Sequence, residues 1–205
     1  MANINLVNPV PYHVLETYFS EVGHPDRKIK YLRKTGRIHP IMKGWYLLDP
    51  NPDNYSPYLL ANLLYGPSYV SGLTALSYYG LIEDATVQYQ SMVFKRGKFL
   101  TTSVGTFSYH HIPAAIFNLG VSQIQYTQEI RFLMAEPTKA LYDHLLITQD
   151  LKITGKKELL TYLEYDLRFD VENLSALNTK LLTHLSKYGR KKRLTGILLN
   201  LVISV

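Results

Sequence analysis

Proline and glycine, ten of one and twelve of the other, cut this chain into short segments and so decide most of what it can fold into. Proline fixes φ and lacks an N–H, and glycine is where helices stop and tight turns form. Between Pro11 and Gly23, the side chains Val14, Leu15, Tyr18, Phe19 and Val22 recur at helical spacing, which predicts an amphipathic helix over residues 12–22. Pro25-Asp26 opens a second helix with Ile29 and Leu32 on its buried side, and Gly36 ends it. Residues 38–48 read as a β-ribbon that turns at Lys43-Gly44 and returns through Trp45, Tyr46 and Leu47.

Residues 49–57 are dense in turn formers and read as a linker, so the chain is expected to divide into a module over 1–48 and a domain over 49–205. In the second part, Ser56-Pro57 starts a helix and Gly66-Pro67 stops it. Tyr69-Val70 is extended, and Ser71 is expected to cap a helix over 72–79. Strands are predicted over 87–94, 107–112, 121–126 and 130–134, with Lys95-Arg96-Gly97-Lys98 as a polar turn. Pro137 begins a helix that runs to about Leu146. Two more are expected over 156–167 and 171–188, the latter capped by Asn173 or Asp170. The fold class is α+β.

Charge is segregated along this framework. Residues 24–43 carry Arg27, Lys28, Lys30, Arg33, Lys34, Arg37 and Lys43 against one acid, Asp26. Residues 44–186 hold ten basic and thirteen acidic side chains, and a second basic cluster follows at Lys187, Arg190, Lys191, Lys192 and Arg193. Localised positive charge suits a surface that meets phosphates or an acidic partner, and it equally suits a solvated helix face. Helix, turn, basic helix and hairpin is the element order of a winged helix-turn-helix, whose basic helix enters the major groove of duplex DNA. The seven basic residues of the first window are therefore the candidate DNA contacts, with Lys43 at the hairpin tip. A full winged helix uses three helices before the wing, and only two fit between Pro11 and Gly44. Either the first is missing or residues 2–9 replace it in extended form. The second cluster reads as a further phosphate-binding patch, a partner-facing surface, or the charged end of a helix. Trp45 and Tyr46 are expected to pack the core beneath the hairpin rather than stack on bases.

Enzymatic signatures are absent from the sequence. There is no cysteine, no phosphate-binding glycine loop and no nucleophile elbow. His110-His111 are adjacent on an expected strand and point to opposite faces, so they do not suit a shared metal. Glu83-Asp84 and Glu136 read as structural carboxylates, Glu136 at a helix start, and Lys139 with Asp143 as an i, i+4 pair. The expectation is a chain without catalytic residues, cofactor or metal. No apolar run approaches the ~20 residues that span a bilayer, and the N-terminus does not read as a signal peptide, which places the chain in the cytoplasm. The apolar tail over 197–205 is expected to join the core or a dimer contact.

Three ordered segments carry a family resemblance: Lys43-Gly44-Trp45-Tyr46; residues 69–81, with Ser71, Ala75-Leu76 and Tyr79-Gly80-Leu81; and Ala135 to Asp143, with Pro137, Lys139-Ala140-Leu141 and Asp143. Together they resemble the AbiEi-type antitoxins of bacterial type IV toxin–antitoxin systems, over about residues 24–146. The resemblance implies an N-terminal winged helix that represses its own promoter. It also implies a mixed α/β antitoxin-like domain that counteracts a nucleotidyltransferase-like toxin without forming a stable complex with it. The alternative is a protein–protein interaction module that has lost specific DNA binding. Oligomeric state is open.

Overall fold

The computed structural model describes residues 6, 8–51, 54–83 and 88–204. Strand β1 (Val10–Pro11) leads directly into helix α1 (Tyr12–Tyr18), and α2 (Pro25–Lys34) follows. The expected first helix runs only to Tyr18. The Thr17 hydroxyl donates back to the His13 carbonyl, and the amides of Ser20 and Val22 bond three residues back, which tightens the chain into turns before Gly23. Strands β2 (His39–Met42) and β3 (Trp45–Leu47) form the expected hairpin, and Gly44 takes the positive φ of +84° that its turn requires. Strand β1 pairs on the far side of β3, giving the order β1-β3-β2.

The two faces of this small sheet serve two cores. Tyr46 packs with Val10, Leu15, Phe19, Ile29, Leu32 and Ile38 beneath α1 and α2. Its neighbours Trp45 and Leu47, with Ile41, pack into the larger core, as alternation along a strand demands. The Asn8 side chain secures the exit of the hairpin: it accepts from the Leu48 amide and donates to the carbonyls of Asp49 and Asn54. The boundary expected after residue 48 thus falls in a pinned segment, and the hairpin is a wall common to both cores.

The larger part is built on a six-stranded mixed sheet. Helix α3 (Pro57–Leu64) is capped by the Ser56 hydroxyl, which accepts from the Leu59 amide. Then come β4 (Tyr69–Val70), α4 (Gly72–Tyr78), β5 (Gln88–Val93), β6 (Lys98–Thr102), β7 (Gly105–His111), β8 (Val121–Gln125) and β9 (Arg131–Ala135). The strand order is β6-β7-β5-β4-β9-β8, with β4 parallel to β9 and β5 parallel to β7. The expected strand start at Val87 lies outside the described residues. Helix α5 (Pro137–Ile147) is buried on almost every side over Thr138–Leu145.

Two of the later expectations need correction. The helix expected over 156–167 is α6 (Lys156–Thr161), which loosens into a π-turn at Tyr162–Asp166. The helix expected over 171–188 is a 3-10 segment, Val171–Ala176, and then α7 (Thr179–Tyr188). Asp170 caps the first of these, while Asn178, not Asn173, caps the second through the Leu181 amide. The chain ends in α8 (Lys192–Ile203), whose Leu198, Leu201 and Val202 are buried in the core. No helix among the described residues is long and apolar enough to cross a membrane.

Candidate nucleic-acid interface and a buried polar network

Helix α2 follows from its sequence. Pro25 sits at its first turn, where the missing N–H costs nothing, and Asp26 faces the positive end of the helix dipole. Arg33 and Lys34 lie in the last turn, where cations are favoured. Ile29 and Leu32 anchor one side in the small core, so the remaining faces are turned outward. Arg27, Lys30, Arg33, Lys34 and Arg37 are exposed, and Lys28 is half-buried with its ammonium 5.9 Å from the centre of the Tyr31 ring. Tyr31 is itself 58% exposed and shares the outer stripe with Arg27 and Lys34, four residues before it and three after.

One residue ties the hairpin to this helix. The Tyr12 amide donates to the Gly44 carbonyl at 2.8 Å, and the Tyr12 hydroxyl donates to the Asp26 carboxylate. That hydrogen bond pushes the Tyr12 pKa up to about 12. The hairpin turn, with exposed Lys43 next to Gly44, is thereby tied through Tyr12 to the first turn of α2. Trp45 and Tyr46 pack as expected, the one half-buried and the other buried.

The second basic cluster is not the end of one helix, because it straddles the turn between α7 and α8. Lys187 closes α7, whereas Lys192 and Arg193 open α8, at the end whose dipole repels cations. Part of the cluster is structural. The Lys191 ammonium donates to the carbonyls of Leu145 and Thr148, completing the C-terminus of α5, and Arg193 donates to the Thr154 carbonyl.

A polar network that local sequence rules do not reveal lies beneath the sheet. Tyr69 and Ser71 both donate to Asp143 Oδ2 at 2.8 Å, and Lys139 donates to the Tyr69 hydroxyl at 2.5 Å and to Asp143 Oδ1. The side chains of Lys139 and Asp143 have no solvent exposure. Burial lowers the Lys139 pKa, opposed by Asp143, and burial raises that of Tyr69 well above its ordinary value. Two of the three segments that carry the family resemblance meet in these four side chains. Only the i, i+4 pairing of Lys139 with Asp143 was legible beforehand. Tyr69 was not marked by any local pattern.

The network also takes Ser71 away from the cap expected of it. Ser71 stands at the N-cap position of α4 but gives α4 no side-chain bond. Gln90 does the capping instead, its Oε1 accepting from the Leu73 amide at 2.9 Å. Gly72 makes this possible: its φ is +58°, and a Cβ there would lie 2.5 Å from Gln90 Oε1. Glu136 likewise stands at the N-cap of α5 without capping it and accepts from the Ser122 hydroxyl. His110 and His111 lie on β7, half-buried and exposed respectively, and no cluster of three or more metal-ligating residues occurs among the described residues. The pair Glu83-Asp84 is only half described, Asp84 lying outside.

Neither a scan against protein-family models nor a search of curated proteins returns a match to this chain. The functional reading rests on its own residues.

His144, on α5 beside the network, supplies a pH test. It is 7% exposed, lies 2.8 Å from the Tyr162 hydroxyl, and has its pKa lowered to about 4 by burial and then by Lys191. An unfolded histidine titrates near 6.5. Between these values the unfolded chain binds a proton that the folded chain does not, so stability falls as pH drops from about 6.5 towards 4. The full loss attributable to this group is about 3 kcal/mol. Urea unfolding at pH 7 and pH 4.5 should show a steeper decline in the wild type than in His144→Gln. Equal declines would remove His144 as the cause.

Proposed function

We propose that the chain is an antitoxin-like transcriptional repressor of bacterial cytoplasm. In this reading, residues 1–48 act as a winged-helix-like module on duplex DNA of the chain's own promoter. The domain over 49–205 counteracts a nucleotidyltransferase-type toxin, and no residue is catalytic. The observation that carries the DNA half is α2, with its outward faces basic and its apolar side anchored, held beside a hairpin whose tip is Lys43. Supporting the second half are the three ordered segments described above. The network's four functional groups are spent on one another without exposure at the ion pair, which supports a structural role for them over a catalytic one.

Two helices rather than three precede the hairpin among the described residues, and this favours a second reading: an interaction module in which the basic face meets an acidic protein. A single pair of assays in cells separates the two. The full chain should be used rather than residues 49–205, because Ile41 and Leu47 of the hairpin belong to the larger core. A reporter driven by the upstream promoter should be silenced by the wild type and released by Arg33→Glu/Lys34→Glu. Growth arrest by a nucleotidyltransferase-like neighbour should be relieved by both. A reporter indifferent to the wild type would reject the repressor half, and arrest unrelieved by either would reject the antitoxin half.

A further inference from the structure

Tyr58 of α3 is the hub of an aromatic cluster. The rings of Tyr78 on α4, Tyr89 on β5 and Tyr126 just past β8 stand nearly edge-on to it, with centres 5.3, 5.9 and 6.5 Å away. Buried Phe132 of β9 closes the cluster at 5.1 Å. The four tyrosines reach the surface: Tyr78 is 37% exposed, Tyr126 is 45% exposed, and Tyr58 and Tyr89 are half-buried. None of their hydroxyls bonds to a described residue. Burial raises the Tyr58 pKa, and Tyr89, Tyr126 and Tyr78 add to the rise, so the phenols face one another and stay neutral. On one flank, Tyr79 lies 5.4 Å from Tyr78, and its pKa is raised by burial, by Tyr78 and by the Glu136 carboxylate. Cations are missing from the patch. Five other tyrosines of the chain carry a lysine ammonium near the ring, whereas none of these four does among the described residues. The neighbouring cation Arg131 precedes Phe132 on β9 and by alternation faces the other side of the sheet.

A tyrosine ring offers an electron-rich face to a cation and loses little conformational freedom on contact, so clustered tyrosines suit a protein interface. The charge pattern selects the partner. A nucleic acid could stack its bases here, but it would bring phosphates to a place with no cation to receive them. A guanidinium is complementary on two counts: its plane stacks on a ring face, and its N–H groups donate to phenol oxygens that accept nothing within the chain. We propose that this tyrosine patch docks a protein partner that presents an arginine side chain to it. The inference goes beyond the repressor and antitoxin reading and does not rest on it. Because the chain carries a net charge of +6, general electrostatic attraction does not bring such a partner in, and selectivity falls to the patch.

The test is a nuclear magnetic resonance titration of the full chain, carbon-13-labelled on its tyrosine rings. Three probes are used: the blocked peptide Gly-Arg-Gly-Arg-Gly, the same peptide with citrulline for arginine, and a short oligothymidylate. The arginine peptide should shift the rings of Tyr58, Tyr78, Tyr89 and Tyr126 saturably and leave the other tyrosines in place. The citrulline peptide, whose urea keeps the shape and loses the charge, should bind at least about threefold more weakly. Tyr78→Leu/Tyr126→Leu should weaken the arginine peptide by a similar factor or more, while Tyr78→Phe/Tyr126→Phe, which keeps both ring faces, should retain most of the binding. Equal binding of the two peptides would overturn the proposal, because the contact would then be apolar only. Cluster rings that do not move with the arginine peptide would overturn it as well. Oligothymidylate shifting the same rings more strongly than the peptide would give the patch to nucleobases instead. The comparison of the two peptides on the wild type needs no variant, so a poorly folded leucine variant does not protect the proposal. None of these results touches α2, so the DNA reading stands or falls separately.

Discussion

Lys139→Met is expected to destabilise the chain by about 3–5 kcal/mol, the cost of stripping one partner from a buried ion pair. Methionine matches the length and leaves the backbone of α5 undisturbed, but the Asp143 carboxylate would remain at zero exposure with only the Tyr69 and Ser71 hydroxyls to support it. Adding Asp143→Asn removes the stranded charge and keeps an acceptor for both hydroxyls, so the double variant should be more stable than Lys139→Met alone. Equilibrium urea unfolding of wild type, Lys139→Met, Asp143→Asn and the pair forms a complete cycle, with a coupling of at least about 1.5 kcal/mol expected between sites in direct contact. A Lys139→Met loss below about 1 kcal/mol would mean that water reaches the pair. The network would then not be what fastens β4 to α5.

The second large effect concerns binding. Arg33→Glu/Lys34→Glu should weaken association with promoter DNA at least about 100-fold near 0.1 M salt, since two cations become two anions beside a polyanion. Both side chains are exposed, and neither touches the anchoring role of Ile29 and Leu32. The cost to stability should be about 1 kcal/mol, from placing acids at the negative end of the helix dipole. Circular dichroism and a melting curve check the fold, and anisotropy checks the binding. A folded double variant that binds as tightly as wild type would show that α2 is not the contacting helix.

Much of the N-terminal part was legible because its signals are local. Proline at the start of α2, glycine at the hairpin turn and apolar residues three apart each act within one turn of chain, and the elements formed where they pointed. Expectations failed where a distant group outbid a local one. Ser71 had the residue type of a cap, but Asp143, 72 positions away, took its hydroxyl, and Gln90 supplied the cap instead. The break before α7 has the same origin. The Asn178 amide donates to the Thr138 hydroxyl 40 residues away, which fixes the chain where a continuous helix had been expected. Strand β6, Lys-Phe-Leu-Thr-Thr, is an edge strand without a buried face, so it lacked the alternation that marks β5 and β7.

The same distinction governs the candidate site. The seven cations of residues 24–43 are a composition signal and were readable as such, and the five of them on α2 lie on an amphipathic helix, which turns its charged side outward. The tie between the hairpin and that helix was not readable. It depends on Tyr12 bridging Gly44 and Asp26, contacts that join residues up to 32 positions apart. Tyr46 was expected only to pack. It does so, in the small core beneath α1 and α2.

The most direct measurement is fluorescence anisotropy of the full-length wild-type chain on its own promoter duplex and on a shuffled duplex of equal length, from about 0.05 to 0.3 M salt. A repressor acting through α2 should bind the promoter at least tenfold more tightly than the shuffled control. Its affinity should fall with a log–log slope of about −4 to −6, for five to seven phosphate contacts at ~0.9 each. Equal, weak binding to both duplexes would contradict it and turn the basic face of α2 toward an acidic protein partner.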